Sequence, residues 1–300
     1  MGSQPQQRLY ILDTDLSHPG RQKRCGRILS CAADGRDFQT VISDMETLPD
    51  GIAIDHSKGH MYWTNMGTSF KSDSGSIERA SLDGSDRKTV VPPGTLGVFT
   101  PKQITIATRS RKLYWCDREG MKVMRADIDG SNIEVLVSTG STEEDRLDQN
   151  NWCVGIAVDE EHGYFYWTQK GPSKGNQGRI LRAPLQCPAG EEPRRPEVVF
   201  EKLPEPIDLE IDEETGTLYW TDRGDPPTGN TLNRAHVATM GRQETLAIRL
   251  HETIGLALDK NAGVVFVTDL SGGVYAVDVK TKEKTVLFAE LGDTTGIALA

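Results

Sequence analysis

The stretch "LYWTDRG" (218–224) decides the fold of this chain, because five related stretches repeat its pattern. These are LYILDTD (9–15), MYWTNMG (61–67), LYWCDRE (113–119), FYWTQKG (165–171) and VFVTDLS (265–271). Their aromatic anchors, from Tyr10 to Phe266, are spaced 52, 52, 52, 53 and 47 residues apart. A period this regular indicates a repeated structural unit.

Each repeat contains four short segments with the character of β-strands. A small, apolar segment such as GIAID (51–55) precedes the aromatic one, and segments such as GSIERASLDG (75–84) and KTVV (88–91) follow it. They alternate or are rich in β-branched and aromatic residues, and Gly- or Asp-containing turns separate them. No segment has a convincing helical period. The pattern therefore predicts four antiparallel strands per repeat, here lettered A to D in chain order.

Six such units predict an all-β, six-bladed β-propeller, because radially arranged sheets cover each other's faces. The first repeat starts at its B strand (9–15), and the segment TGIALA (295–300) has the pattern of a complete A strand. We expect residues 295–300 to join the first blade as its innermost strand. This pairing closes the ring and removes an exposed sheet edge.

The predicted blades make up a single domain over residues 1–300. The predicted boundaries are 9–48 plus 295–300 for blade one, 49–100 for blade two, 101–150 for blade three, 151–203 for blade four, 204–251 for blade five and 252–294 for blade six.

The motifs YWTN, YWCD, YWTQ and YWTD, together with IERASLDGSDR (77–87), resemble the YWTD propellers of lipoprotein-receptor type. The resemblance covers essentially the whole chain, and it implies a six-bladed propeller that binds protein ligands. The chain departs from the receptors because it lacks flanking cysteine-rich modules. As a freestanding propeller it also resembles the fungal hetero-Diels–Alderases of tropolonic sesquiterpene pathways, which join a reactive quinone methide to a terpene.

The composition of the chain argues against nucleic acids and membranes as binding partners. A formal net charge of −10 argues against nucleic acid, which requires clustered Lys and Arg. No apolar run is long enough to span a membrane, and the start MGSQPQQRLY lacks the apolar stretch of a secretory signal. The five cysteines include no C-x-x-C pair. We therefore expect a cytoplasmic protein with reduced thiols; the sequence leaves the oligomeric state open.

The long connections of the predicted ring fall on one face. B–C and D–A connections share the face that we name the loop face, and A–B and C–D turns share the opposite turn face. Six expansions fall on the loop face and one, 187–197, on the turn face; the six are 16–26, 66–75, 92–102, 138–151, 170–178 and 223–230. Loops that grow on one face of a rigid scaffold usually carry function. The alternative is that they are tolerated surface insertions.

The loop face offers apolar and polar side chains for a small ligand. An apolar pocket with a few hydrogen-bond donors fits an organic molecule that bears carbonyl groups; the alternative is a small core beneath the loops. Leu96, Val98 and His18 also lie there. The predicted catalytic residues are Lys71, Gln103, Asn151 and His251. The predicted substrate-binding residues are Met66, Phe70, Phe99, Lys102, Asn150, Trp152, Lys170, Asp208, Glu210, Arg223, Thr253 and Thr294.

Asp208 and Glu210 stand where other copies of the innermost strand have Gly and Ala. Buried acids are costly unless they are hydrogen-bonded or have raised pKa values, so these two are candidates for general acid–base work. The alternative is that they are channel acids bonded to backbone amides. With Asn150 they could imitate the metal site of lactonase-type propellers, but no ligand spacing is diagnostic, and we predict neither metal nor cofactor.

The best functional hypothesis is a cofactor-independent biosynthetic enzyme acting on an apolar small molecule. Its reaction would be an intermolecular hetero-Diels–Alder cyclisation, which joins an enone or quinone methide to an apolar terpene in a closed, mostly apolar pocket at the loop-face mouth of the channel. The absence of a nucleophile elbow, P-loop or dinucleotide motif disfavours covalent and nucleotide chemistry. The alternatives are a non-catalytic protein-binding propeller and a metal-dependent lactonase-like hydrolase.

Overall fold

The computed structural model describes residues 7–17, 25–95, 97–187, 194–239 and 242–300. Within these ranges, 24 strands form six sheets of four antiparallel strands each. This arrangement confirms the predicted all-β, six-bladed propeller. No helix in the described ranges has the length and apolar character needed to cross a membrane.

The first three blades take their strands from both ends of the chain and from its first half. Blade one contains β1 (Arg8–Asp13), β2 (Gly26–Ala32), β3 (Gln39–Met45) and β24 (Thr294–Leu299); blade two contains β4 (Pro49–Asp55), β5 (His60–Asn65), β6 (Ser76–Ser81) and β7 (Lys88–Val91); blade three contains β8 (Pro101–Ala107), β9 (Lys112–Asp117), β10 (Lys122–Asp127) and β11 (Glu134–Ser138).

The other three blades follow in chain order. Blade four contains β12 (Cys153–Asp159), β13 (Tyr164–Gln169), β14 (Gly178–Pro184) and β15 (Glu197–Leu203); blade five contains β16 (Pro206–Asp212), β17 (Thr217–Asp222), β18 (Thr231–His236) and β19 (Glu244–Ala247); blade six contains β20 (Thr253–Asp259), β21 (Val264–Asp269), β22 (Val274–Asp278) and β23 (Lys284–Phe288).

The ring closes as predicted. Strand β24 pairs antiparallel with β1, with Tyr10 opposite Ala298. Beyond the strand ends, the backbones of Arg8 and Ala300 exchange two hydrogen bonds of 2.9 and 2.8 Å. The innermost strand of blade one therefore comes from the other end of the chain.

The tryptophans of the repeated motif form the centre of the packing between blades. Trp63, Trp115, Trp167 and Trp220 are each at most 1% exposed. A buried aromatic side chain removes roughly 150–250 Å² from water, which at about 25 cal/mol per Å² contributes about 4–6 kcal/mol before entropy is counted. Each lies in an apolar cluster, which explains why the repeat keeps a large ring at this position.

The threonine of the same motif ties each blade to the next one. Its hydroxyl donates to a backbone carbonyl of the neighbouring inner strand, and accepts from an N–H of its own inner strand. Cys116 replaces this threonine in blade three, and its thiol donates to the carbonyl of Gly155 at 3.1 Å. The other donor and carbonyl pairs are Thr64 with Lys102 (2.6 Å), Thr168 with Ile207 (2.7 Å), Thr221 with Ile254 (2.6 Å) and Thr268 with Thr295.

Blade one has Leu12 at the corresponding position, so its link to blade two has a different donor. The hydroxyl of Thr295, on β24, donates to the carbonyl of Pro49 at 3.2 Å. The inner strands also approach closely at their glycines. A Cβ atom on Gly155 would lie 2.2 Å from the Ile207 carbonyl oxygen, and one on Gly296 would lie 2.5 Å from that of Asp50.

The aspartate of the motif holds the loop-face connections. The Asp117 carboxylate accepts hydrogen bonds from the backbone N–H groups of Phe99, Thr100 and Gly120. These three residues belong to the D–A connection before blade three and to the B–C connection within it. Burial raises the pKa of Asp117 to about 6, against the opposing effect of these N–H groups. The carboxylate therefore anchors both loops to one strand end.

The two faces differ as the sequence predicts. Each described A–B turn has four residues, whereas the connections of the loop face range from two residues (204–205) to fourteen (139–152). One difference from the sequence analysis is a single-turn helix, α1 (Glu143–Leu147), in the 138–151 connection. Thr142 and Asp145 form a capping box that stabilises it, a local signal that hydrophobic periodicity does not detect.

Candidate functional site

A buried ion pair lies at the loop-face mouth of the channel. The Lys102 ammonium donates to the Asp50 carboxylate at 2.7 Å and contacts the Met66 sulfur at 2.9 Å. The Gln103 amide donates to the same carboxylate at 3.2 Å. Lys102 is 8% exposed, and Asp50, Met66 and Gln103 are 2–3% exposed. Three of the predicted residues therefore meet around an aspartate that the prediction omitted.

The ammonium of Lys102 is poised to lose its proton close to neutral pH. Burial lowers the pKa of Lys102 to about 8, and the Arg118 charge adds to this effect. The Asp50 carboxylate acts in the opposite direction. A lysine of this kind donates strong hydrogen bonds while it stays charged, and it can also transfer a proton near physiological pH.

Six equivalent positions at the start of the inner strands form a ring at this end, which we name the mouth ring. Three of its members, from blades four to six, are apolar and pack in one cluster with Leu270. The other three, from blades one to three, are polar. A β-bulge interrupts the pairing of every inner strand near this point, and bulges change the direction of side chains. The mouth ring consists of Asp50, Lys102, Val154, Ile207, Ile254 and Thr295.

A row of alternating cations and aromatic rings borders the mouth ring. The Arg118 guanidinium lies 5.0 Å from the Phe70 ring centre and 4.9 Å from that of Trp152. The Lys170 ammonium lies 5.2 Å from the same tryptophan ring. Such contacts are worth roughly 0.5–2 kcal/mol each, depending on how far they exclude water. The row joins connections of blades two, three and four.

Glu205 is the centre of a second charged group. It is fully buried and forms ion pairs with Lys170 at 3.0 Å and with Arg223 at 2.9 Å. Its carboxylate also accepts from the Lys174 backbone N–H, and Arg223 continues to Glu252. Burial lowers the pKa of Lys170 in spite of the nearby Glu205 charge. These pairs fix the connections of blades four, five and six to each other.

The two long D–A connections also meet at this mouth. The Arg146 guanidinium, in the 138–151 connection, lies 4.1 Å from the Phe99 ring centre in the 92–102 connection. The Arg146 carbonyl accepts a 2.8 Å hydrogen bond from the Trp152 indole. The 92–102 and 138–151 connections therefore contact each other through Arg146.

Several predicted residues lie away from this group. Lys71 and His251 are exposed. The Asn151 amide donates to the Asp145 carbonyl, and the Asn150 amide donates to Asp148, so both stabilise their own connection. Thr294 donates to the Asp269 carbonyl at 2.6 Å, and the buried hydroxyl of Thr253 has no hydrogen-bond partner. His18 and Leu96 lie outside the described residues.

Asp208 and Glu210 fit the alternative interpretation given for them. Asp208 accepts from the backbone N–H of Leu256 at 3.1 Å, and Glu210 accepts from that of Leu258 at 2.8 Å. They thus satisfy the exposed edge of the next inner strand. Burial raises the pKa of Asp208 well above its usual range and that of Glu210 to about 7. Among the described residues, no group of three or more His, Cys, Asp or Glu side chains is suited to hold a metal ion.

The cavities lined by described residues include five on the turn-face side, with volumes from 210 to 540 Å³, and Glu210 lines two of them. None of these five cavities lies at the loop-face end, so the closed, mostly apolar hollow expected there stays a prediction. The side chains of the Lys102–Asp50 pair and of the apolar half of the mouth ring are buried at that end.

Sequence reasoning missed the charged partners Asp50, Arg118, Glu119 and Glu205. Glu119 pairs with Arg118 and accepts a hydrogen bond from the Thr100 hydroxyl. A signal for Asp50 and Lys102 does exist, because the equivalent positions of blades four to six are apolar. Two adjacent repeats with opposite charges at one position indicate a pair. Arg118 and Glu205 have no comparable counterpart in the repeat.

Comparison with known proteins identifies relatives along the whole chain. The chain is 63% identical to a Pyricularia oryzae protein named low-density lipoprotein receptor-related protein 1, over the full length of both. It is 41% identical to LAM1 of Cochliobolus heterostrophus, a protein named 3-hydroxyacyl-CoA dehydrogenase-like, over 98% of this chain and 64% of that protein. The chain thus spans less than two thirds of LAM1.

Its fold resembles a chain in the crystal structure of a nidogen–laminin complex, with a TM-score of 0.75, 20% identity and 98% coverage of both chains. No protein-family model matches the chain. The relative that matches along its full length, the repeated motifs and the six closed blades agree with one another. The chain belongs to the low-density lipoprotein receptor-related proteins, the family of YWTD β-propellers.

Proposed function

We propose that this propeller is a cofactor-independent enzyme of small-molecule biosynthesis, which binds a carbonyl-bearing substrate at the mouth ring and promotes its cyclisation. The observation that carries the proposal is the buried ammonium of Lys102 directly beside the apolar half of the ring. A donor at the edge of an apolar surface can bind an oxygen atom and a hydrocarbon at the same time.

The reaction that suits this arrangement best is a hetero-Diels–Alder addition. The C=C–C=O unit of an enone or quinone methide adds to the C=C bond of an apolar terpene. One C–C and one C–O bond form, three π bonds become one, and no atom leaves. Such a step needs orientation and polarisation of the carbonyl rather than a nucleophile or a redox partner. Orientation alone supplies up to roughly 7–11 kcal/mol in favourable cases.

Each group has a defined role in this proposal. Lys102 donates to the carbonyl oxygen with an N–H that Asp50 does not use, and Gln103 supports it from the same carboxylate. Val154, Ile207 and Ile254 hold the hydrocarbon part. Because these buried groups are at most 8% exposed, substrate entry requires the surrounding loops to move apart. LAM1, which carries an enzyme-derived name, supports an enzymatic role.

The test measures product formation from a heterodiene and an alkene, with and without the purified protein. We expect a rate and a stereochemical excess above those of the spontaneous reaction. Lys102→Met, Gln103→Ala and Trp152→Ala should each lower the rate about 10- to 100-fold, while Lys280→Met, an exposed lysine, leaves it unchanged. The wild-type rate should fall above pH 8, since the pKa of Lys102 is about 8 and the charged form is the donor.

A second candidate, a protein-binding propeller, is favoured by two exposed apolar side chains at the loop face. Leu147 is 81% exposed and Phe70 is 38% exposed. If the protein neither accelerates nor orients the addition, and Lys102→Met behaves as wild type with an intact circular-dichroism spectrum, the enzymatic proposal is wrong. A Leu147→Asp variant separates the candidates, because it changes a protein-binding surface but leaves turnover intact.

A further inference from the structure

The opposite end of the channel has open space. Two adjoining cavities of about 420 and 210 Å³ open at the turn face and share Thr105, Ile106, Thr108, Glu210 and Leu258. The larger lies within the range of about 300–1,000 Å³ that is typical of small-molecule sites. Neither cavity contains a residue of the mouth ring in its lining.

Nine of the thirteen residues that line the smaller cavity are apolar, although polar atoms make up the larger part of its exposed surface. Inner strands of five blades contribute to it, with side chains such as Ile52, Ile104, Ala257 and Leu299. The polar side chains that border it are His56, Thr105, Thr108 and Glu210. Glu210 is therefore the one carboxyl group among its described lining residues. A single acid among mostly aliphatic side chains favours ligands that combine a cationic group with a short hydrocarbon.

The carboxylate of Glu210 keeps unused hydrogen-bonding capacity. It accepts one hydrogen bond, from the Leu258 N–H, whereas an ionised carboxylate can accept about four. No described Lys, Arg or His side chain forms an ion pair with it. The equivalent positions of the other blades are Ala53, Thr105, Ala157, Ala257 and Ala298, so the ring itself does not require an acid here.

The charges at the entrance do not neutralise Glu210. Arg109 is held by Glu161 at 2.9 Å and by Glu213 at 3.0 Å. The remaining charged or titratable groups that line the two cavities are Lys260, Asp212 and His56, and Asp208 lies two residues before Glu210 on the same strand. The chain as a whole has a net charge of −10, which favours the approach of cations.

We propose that this end of the channel binds a small primary or secondary amine with a short apolar substituent, whose ammonium group pairs with Glu210 while its hydrocarbon lies against the inner strands. The site is separate from Lys102 and does not depend on the proposed reaction. Burial raises the pKa of Glu210 to about 7, and a bound ammonium would favour its ionised form.

The test uses isothermal titration calorimetry at pH 8 with n-butylammonium, butanol and butanoate on the full chain. We expect saturable one-site binding of n-butylammonium with a Kd of roughly 1 mM, and at least tenfold weaker binding of the other two. Glu210→Gln keeps the size and the acceptor for Leu258, so the ring should fold, and n-butylammonium binding should weaken at least tenfold. Glu214→Gln, an exposed neighbour, removes the same charge as a matched control and should bind like wild type.

A second variant tests the location without changing a charge. Thr108 is exposed and lines both cavities, so Thr108→Phe should obstruct the entrance and weaken n-butylammonium binding while leaving the fold intact. The proposal is overturned if n-butylammonium does not bind at millimolar concentration, if butanol or butanoate binds equally well, or if Glu210→Gln binds like wild type. Equal weakening by Glu214→Gln would also overturn it, because it would indicate a diffuse surface effect.

Discussion

The two ends of the channel differ in a way that their connections do not indicate. The loop face has the longest connections between inner and outer strands, and buried ion pairs such as Lys102–Asp50 and Lys170–Glu205 join its elements. The A–B turns of the turn face all have four residues, yet cavities lie among them, and one contains Glu210, an acid with no cationic partner among the described residues. Buried charges thus hold the elements of the loop face together, while the turn-face cavities lie between inner strands and short A–B turns.

We expect the largest difference between the two faces when one carboxylate is removed from each and the free energies of unfolding are compared. Glu205→Ala leaves Lys170 and Arg223 without their buried partner, and we expect a loss of about 3–5 kcal/mol in the free energy of unfolding. Glu213→Ala removes the turn-face partner of Arg109, which is itself half exposed, and should cost less than about 1 kcal/mol. Urea unfolding measures both values; similar losses would show that the two faces are equally interlocked.

The free energy of unfolding should depend on pH differently in the wild type and in a Glu210→Gln variant. Its folded-state pKa of about 7 lies above the ordinary value of 4.5, so the folded chain holds this proton more tightly. That contribution is complete below pH 4.5 and is lost as the pH rises towards 7. Glu210→Gln has no titrating group at this position, so its free energy of unfolding does not carry this pH-dependent loss. Between pH 4.5 and pH 8, the free energy of unfolding of the variant should therefore rise by up to about 3 kcal/mol relative to that of wild type.

The measurement is the free energy of unfolding at both pH values, with Glu214→Gln as the control. An equal pH profile for wild type and Glu210→Gln would mean that the carboxyl group is solvated and that the turn-face end is less apolar than its lining indicates.

A smaller effect is expected from the cation–aromatic row of the loop face. Arg118→Lys keeps the charge but loses the flat guanidinium between Phe70 and Trp152, and should cost about 1 kcal/mol. Arg87 pairs with Glu78, faces one aromatic ring, that of Trp63, and is more exposed, so Arg87→Lys is the matched control and should cost less. If the two costs are equal, the row does not bind the loops together.

The fold was predictable from the sequence because six copies of one repeat share the same pattern of strands. The tryptophan, the threonine and the aspartate of the motif each recur in four of the six copies, and these residues fill the spaces between blades, tie neighbouring inner strands and anchor the loops. Cys116 shows the limit of this reasoning. It reads as a small core residue, and its role as a donor to Gly155 becomes visible only in the structure.

The candidate site was predictable only in part. The sequence places Lys102, Gln103 and Met66 on the loop face. Asp50 accepts hydrogen bonds from Lys102 and Gln103, but it lies 52 residues from Lys102 in the chain. Contacts such as Arg118 with Trp152 depend on side-chain conformations in loops of different blades, which no repeat pattern encodes. The turn-face end has open space because small side chains such as Ala53 and Ala257 line it. In the sequence, such small residues indicate only close packing of strands and do not predict a cavity.

Because the backbones of Arg8 and Ala300 are hydrogen-bonded to each other, the ring of blades does not depend on which connection between strands is left open. A short linker between these residues would make the polypeptide continuous, and a cut in the 260–263 turn would then create new ends without removing a single strand. Circular permutants of this protein should thus fold, and they would let each blade in turn become the one that is assembled from both ends.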